Sequence, residues 1–407
     1  HSYLPATGSI RVPLIIKDPR MSPKFKGTVN DDFTLNIDLA TTIIAAAGIE
    51  PLSSMMGRDM SVLYRKGGLQ SAAIAQARRK ALTPTADKRQ YPAPASDGDG
   101  KFHSGQALGA ALGVSRSAVW KQLQHLQSDL GLPIHSVRGR GYRLESELSV
   151  LSEEAIRAGG VVWPIFLHEQ VDSTNAEALR LLDADADAPF LVLAEQQLQG
   201  RGRRGRQWIS PYGQNVYFSL AWRIDGGTRY LDGLSLVVGL AVLRALQGMG
   251  LDDSGLKWPN DILAGGRKIG GILLELVGDP ADVCHVVMGI GINVNMRMDN
   301  LDIDQPWTSL SKQLGGVIDR NALVAALGAQ LQLMLLRHRR EGFAGLRAEW
   351  ESVHLWQGRC VSLSTAQRDV VGEVLGVDNS GALRLIVDGA EQVFSGGEIS
   401  LRLRDDS

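Results

Sequence analysis

The stretch TPTADKRQYPAPASDGDGK, ending at Lys101, is so dense in Pro, Asp, Gly and Ser that no packed core can run through it. It divides the chain into parts that must each bury their own apolar surface. At roughly 100–200 residues per domain, 407 residues predict about two to four domains. The 44% hydrophobic and 21% charged content excludes a fibrous or wholly disordered chain. With 43 Lys+Arg against 44 Asp+Glu the formal charge is −1, so any surface for a polyanion has to be local. The two cysteines, Cys284 and Cys360, stand far apart with no Cys or His partner at ligand spacing, which leaves no disulfide scaffold, no zinc knuckle and no expected metal site. No apolar run reaches the roughly 18 residues of a spanning helix. The opening HSYLPATGSIRV lacks the basic and apolar regions of a secretory signal, and the cytoplasm is the expected location.

Residues 1–66 alternate apolar runs with turns: Ile10–Pro19 reads as a strand and Asp31–Ala47 as a helix. SIRVPLIIKDPR, FTLNIDLATTIIAAAGIEP and GRDMSVLY resemble a slice from the C-terminal side of the sulfatase fold. The C/S-x-P-x-R nucleophile motif of that family is missing, so no sulfatase chemistry is expected. Residues 67–100 form the linker.

From Lys101 to residue 146 the pattern is helix, tight turn, helix and hairpin. Ser104 can cap a short helix ended by Gly113, Ser115 caps a longer one carrying Val119, Leu123 and Leu126, and IHSVRGRGYRL alternates around a Gly-Arg-Gly tip. This is a winged helix-turn-helix. Between Lys101 and Arg143 stand Lys101, Arg116, Lys121, Arg138, Arg140 and Arg143 against the single acid Asp129, a local excess of positive charge. The second helix would offer Ser115, Arg116, Ser117 and Lys121 to a DNA groove, with Arg138 and Arg140 of the wing on phosphate. A protein-interaction module is the alternative reading.

Residues 150–352 hold the largest apolar content. FLVLAEQ, NVYFSLAWRI, GILLELVG and VCHVVMGIGINVN read as strands, Leu231–Gly248 and Asn321–Arg340 as helices, which is a mixed α/β core. Residues 353–404 change to short strands with Gly/Asp turns, as in a small β-barrel. The overall class is multidomain α+β.

GRGRRGR at 200–206 formally matches a dinucleotide fingerprint, but a turn and a strand follow it where that fingerprint needs a helix. Its four arginines instead supply guanidinium forks for an anion, and their mutual repulsion predicts disorder until a ligand neutralises them. A solvated basic loop or a second DNA contact is the competing reading. KWPND at 257–261 brings Lys257 beside an amide and a carboxylate, either as a structural ion pair or as a holder of anions. RKIGGILLE and GIGINVN place glycines where a ligand can lie on bare strand backbone. DSTN at 172–175 supplies two hydroxyls and an amide, and Ser173 or Thr174 can equally be a plain helix cap.

In this order and spacing the motifs resemble the biotin protein ligases. The winged helix ahead of them and the C-terminal strands ending FSGGEISLR resemble the bifunctional class that also represses the biotin operon. The likeness spans about residues 100–404. It implies a class II synthetase-like catalytic domain and an SH3-like C-terminal barrel. It also implies a ligase that forms a carbon–nitrogen bond, using biotin and ATP with Mg2+, through biotinyl-adenylate, on a lysine of a biotin carboxyl carrier protein. By motif position Ser173, Thr174, Asn175, Gln197, Arg201, Gly202, Arg203 and Lys257 would bind biotin, and Arg203, Arg206, Trp208, Asn293 and Trp307 the nucleotide. Arg201, Arg203 and Lys257 would act in catalysis. Operator DNA and an adenylate-dependent homodimer complete the implied partners, with no membrane. Departures are Leu198 and Gln199 after the glutamine motif, Ile209 in place of an aromatic, and the linker YPAPASDGDG where the family has a first helix. A lipoate ligase of the same fold, or a biotin-sensing transcription factor without catalysis, are the competing readings.

Overall fold

The computed structural model describes residues 101–404 other than 146–147, 226, 228–229, 279–282, 298–302, 365–368 and 396–399. The expected sulfatase-like slice at 1–66, the linker at 67–100 and the position of a first helix ahead of Phe102 lie outside these residues.

Both predicted caps of the first small unit form. Ser104 Oγ accepts from Ala107 N at 3.0 Å to start α1 (Gly105–Leu112), and Gly113 ends it in the left-handed conformation at φ 64°. Ser115 Oγ accepts from Ala118 N at 3.2 Å to start α2 (Arg116–Ser128). The hairpin β1 (Ile134–Val137) and β2 (Gly141–Leu144) follows. Gly141 has φ 105°, and a Cβ there would lie 2.0 Å from the His103 carbonyl oxygen, so only glycine lets the wing close on His103, which bridges Tyr142. A compact cluster of Leu130, Leu132 and Ile134 sits beneath, with Tyr142, Leu148 and Tyr212 against it.

Beyond α3 (Glu153–Ala158), the largest layer is a seven-stranded sheet in the order β3-β4-β5-β9-β8-β7-β6, formed by Ile165–Val171, Phe190–Gln197, Val216–Asp225, Ser254–Lys257, Asp261–Ala264, Arg267–Gly278 and Val283–Ile292 as β3 to β9. Only β3 and β4 are parallel. One face is covered by α5 (Leu234–Gly248) and α7 (Arg320–Glu341), with α6 (Leu310–Leu314) between them in sequence. This face forms the main core, with Leu193, Phe218, Leu240, Met288 and Leu331 among its fully buried side chains. The predicted helix 231–248 starts only at Leu234, because Gly233 turns the chain at φ 62° and Phe343 fills the space where its Cβ would stand.

The other face is covered by α4 (Thr174–Asp183), which packs Ala178 and Leu181 on Phe190, Val192, Ala221 and Val287. Strand side chains alternate faces, so Gly289 and Gly291 continue the row of Val287 on this side. Apolar side chains therefore hold the helix at one end of the sheet, and bare backbone lies open at the other.

After α8 (Arg347–Ser352) come β10 to β14 (Cys360–Ser364, Asp369–Val377, Leu383–Val387, Ala390–Phe394, Ser400–Leu403), an antiparallel sheet in the order β13-β12-β11-β10-β14. The connector binds it to the seven-stranded sheet: Leu256 N donates to Val353 O, and Trp258 Nε1 donates to Gly381 O at 3.1 Å. Among the described residues no helix is long and apolar enough to cross a membrane.

Candidate functional site

Where the α4 face of the sheet runs out of side chains, a cleft of about 390 Å³ opens. Its floor is Gly271, Gly289 and Gly291. A Cβ on Gly289 would come within 2.3 Å of Asn175 Oδ1, and one on Gly291 within 2.5 Å of the Trp208 ring, so both neighbours rest directly on backbone.

One wall is the start of α4. Ser173 holds the cap position without a side-chain cap bond and lines the cleft. Thr174 donates through both N and Oγ1 to Gln197 Oε1, at 2.9 and 3.1 Å. Gln197 Nε2 donates to Ser210 Oγ at 3.2 Å. Ser219 Oγ lies 2.7 Å from Thr174 Oγ1 and 2.6 Å from Asn175 Oδ1. These buried amides and hydroxyls hold one another in fixed orientations, as recognition of a planar polar group requires.

The arginine loop lies over the opposite side. Gly202 N donates to Arg206 O at 2.7 Å, and Arg204 takes a left-handed φ of 59°. Opposed charge anchors the loop: Arg201 Nη2 is 3.2 Å from Glu275 Oε2, and the same oxygen accepts from Asn175 Nδ2 at 2.6 Å. Arg203 Nη1 donates to Asn260 Oδ1 at 3.1 Å, and Asn260 donates to Ile272 O at 2.7 Å.

At the cleft's end, Lys257 closes β6 and Asp261 opens β7, with Nζ 3.3 Å from Oδ2. Trp356 lies over the ammonium, its centroid 4.9 Å away. Burial lowers the Lys257 pKa, Asp261 opposes that, and Lys268 and Arg206 add to it. Burial would raise the Asp261 carboxyl, but Lys268 and Lys257 outweigh it and hold it below its ordinary value.

The cleft gathers every residue expected for small-ligand chemistry: Ser173, Thr174, Asn175, Gln197, Arg201, Gly202, Arg203, Arg206, Trp208, Lys257, Asn293 and Trp307. Asn293 is buried and donates to Thr308 O at 3.1 Å, while Lys312 lies over the Trp307 ring at 4.0 Å. Of the departures, Ile209 lines the cleft, whereas Leu198 is 59% exposed and does not. Sequence reading passed over Ser219, Lys268 and Glu275. A hydroxyl or charge inside an otherwise apolar strand was the available signal, and it reads equally well as a solvent-facing position.

The residues expected to meet DNA sit on the winged unit. Arg116, Ser117, Lys121, Arg138 and Arg140 are exposed, Arg140 lying 4.7 Å over the Phe102 ring. Ser115 Oγ is engaged by the cap and by Ser117 Oγ at 2.9 Å, so it shapes the helix end. Among the described residues no three carboxylate, histidine or cysteine side chains gather to hold a metal.

Comparison with known proteins bears on both sites. The Biotin/lipoate A/B protein ligase family model matches residues 167–293, an HTH domain model 97–143, and the Biotin protein ligase C terminal domain model 358–402. The Bifunctional ligase/repressor BirA of Salmonella typhimurium is 38% identical over 315 residues, covering 75% of this chain and 94% of that protein. The biotin–acetyl-CoA-carboxylase ligase of Paracoccus denitrificans is 35% identical over 239 residues, covering 56% of this chain and 97% of its own length. Among solved structures, the biotin protein ligase from Aquifex aeolicus in complex with biotin and ATP superposes with a TM-score of 0.52 at 28% identity, over 59% of this chain and 99% of that one.

Proposed function

Because the chain belongs to the biotin protein ligase family, we propose that its cleft joins biotin to ATP and then to a carrier lysine. The protein is an ATP-dependent biotin ligase and a transcriptional repressor of the bifunctional type. The observation that carries the reading is that one cleft gathers all twelve residues named from sequence for the acid and the nucleotide.

The chemistry takes two steps. A biotin carboxylate oxygen attacks the α-phosphorus of ATP; the new acyl–phosphate bond forms as the bond to the β-phosphate breaks, releasing pyrophosphate. The neutral amine of the carrier lysine then attacks the acyl carbon; an amide forms, AMP leaves with the bridging oxygen, and the amine proton passes to water. Both reactants of the first step are anions, so the protein must supply fixed positive charge and alignment more than covalent chemistry. In this reading Ser173, Thr174, Asn175 and Gln197 hold the ureido ring, and Gly202 lets the loop backbone approach the ligand. Arg201 and Arg203 fold over the adenylate, and Lys257 meets the carboxylate and acyl-phosphate oxygens. Arg206, Trp208, Asn293 and Trp307 line the nucleotide end. Mg2+ would arrive with the ATP phosphates and offset part of their charge.

Residues 101–146 form the DNA-binding domain, with Arg116, Ser117 and Lys121 in the groove, Ser115 at the helix start, and Arg138 and Arg140 on phosphate. Residues 150–352 are the catalytic domain, of class II synthetase-like fold, and 353–404 an SH3-like barrel. The acceptor is a biotin carboxyl carrier protein, the adenylate-bound form is a homodimer that binds operator DNA, and the protein works in the cytoplasm. The test incubates the full chain with ATP, Mg2+, an acceptor domain and either biotin or lipoate. A mass gain on the acceptor lysine with biotin alone is expected; gain with lipoate alone, or none, would overturn the reading.

A further inference from the structure

Three charges meet where the turn after β6 enters β7. Asp261 Oδ2 is 3.3 Å from Lys257 Nζ, and Oδ1 is 2.7 Å from Lys268 Nζ, with the three side chains 13%, 18% and 15% exposed in that order. Lys268 comes from a different strand, β8, and is held firmly. Its N–H donates to Pro306 O at 3.0 Å and its carbonyl accepts from Thr308 N at 2.9 Å, which ties it to the segment carrying Trp307. Its ammonium also lies 5.7 Å from the centre of the Trp208 ring.

One carboxylate cannot balance two half-buried ammoniums. An isolated Asp261–Lys257 pair would be a matched ion pair, and Lys257 would have to leave it to reach an incoming anion. Lys268 takes the shorter contact and satisfies Asp261 from the other side, so the surplus positive charge falls on Lys257. We propose that Lys268 is a positioning residue which, acting through Asp261, keeps Lys257 free to meet the acid and phosphate oxygens during adenylation. This rests on the ligase reading above and deepens it. The charged groups facing Lys257 are Asp261, Lys268 and Arg206; the last two lower its pKa, so removing Lys268 lets it rise.

The test measures biotin-dependent exchange of pyrophosphate into ATP by the full chain across pH, without acceptor, in Lys268→Met, Lys268→Arg, Asp261→Asn and the Lys268→Met/Asp261→Asn double variant. Lys268→Met is expected to lose roughly tenfold in kcat, Lys268→Arg no more than about threefold. Deleting the captor should restore most of that loss in the double variant, a coupling that a purely structural role does not produce. The alkaline limb should move to higher pH in Lys268→Met. A folded Lys268→Met at wild-type rate, or a double variant no faster than Lys268→Met with an unmoved limb, would overturn the proposal; if Lys268→Met does not fold, Lys268→Gln takes its place with the same two outcomes. An inactive wild type would overturn the ligase reading and this proposal with it, whereas an active wild type with indifferent Lys268 variants overturns this proposal alone.

Discussion

Arg320 donates through Nη2 to Glu195 Oε2 inside the core, with side-chain exposures of 0% and 6%. The same guanidinium donates to Ser149 O at 2.6 Å and Asn215 O at 2.8 Å, and Glu195 Oε1 accepts from Leu151 N at 2.6 Å. The segment leaving the winged unit is thereby fastened to β4, two residues before Gln197.

Breaking that fastening leaves a buried charge without a partner. Arg320→Met is expected to cost about 3–5 kcal/mol, and Arg320→Met/Glu195→Leu to recover a large part of it. Urea unfolding followed by circular dichroism measures both. A single variant within about 1 kcal/mol of wild type would contradict the assignment.

Glu275 joins the two walls of the cleft through Asn175 and Arg201. In Glu275→Gln the neutral amide can still accept from Asn175 but no longer answers the guanidinium. Biotin affinity by calorimetry should fall about tenfold, or about 1.4 kcal/mol, while the melting temperature changes little.

A methyl group on the floor probes the acid end. With Asn175 Oδ1 only 2.3 Å from the Cβ position, Gly289→Ala must displace that amide. The KM for biotin should rise by roughly tenfold or more while the KM for ATP stays within about twofold, in steady-state assays. Equal effects on both would show that the strand as a whole had shifted.

Burial pushes the His354 imidazole down to about 4, with Gln357 and Glu351 opposing. His168 and His338 are lowered for the same reason. The unfolded chain, with histidines near 6.5, binds more protons than the folded one between about pH 6.5 and 4, so stability falls as pH drops through that window. His354 stacks on Trp350 at 4.7 Å, so His354→Phe keeps the ring and removes the titration. The urea midpoint of that variant should depend less steeply on pH between 6.5 and 4 than that of wild type.

On the winged unit, Arg140→Ala should weaken operator binding across sequences and reduce the salt slope by about 1, with adenylation unchanged. Fluorescence anisotropy at several salt concentrations measures it. A changed sequence preference with an unchanged slope would place Arg140 on a base.

Local signals in the chain determined a good deal. Ser104 and Ser115 cap where their hydroxyls stand, Gly113 ends a helix, and the ordered motifs named the residues that line the cleft. Such features are legible because capping and strand alternation are set within a few neighbouring residues. Tertiary structure alone decided which residues share a charge. Lys268 meets Asp261 because β7 and β8 pair with a bulge between Ile262 and Leu263, Glu275 meets Arg201 because β8 runs beneath the loop, and Arg320 meets Glu195 across 125 positions. Strand register and helix packing create those encounters, and no spacing along the chain encodes which buried charge will answer which.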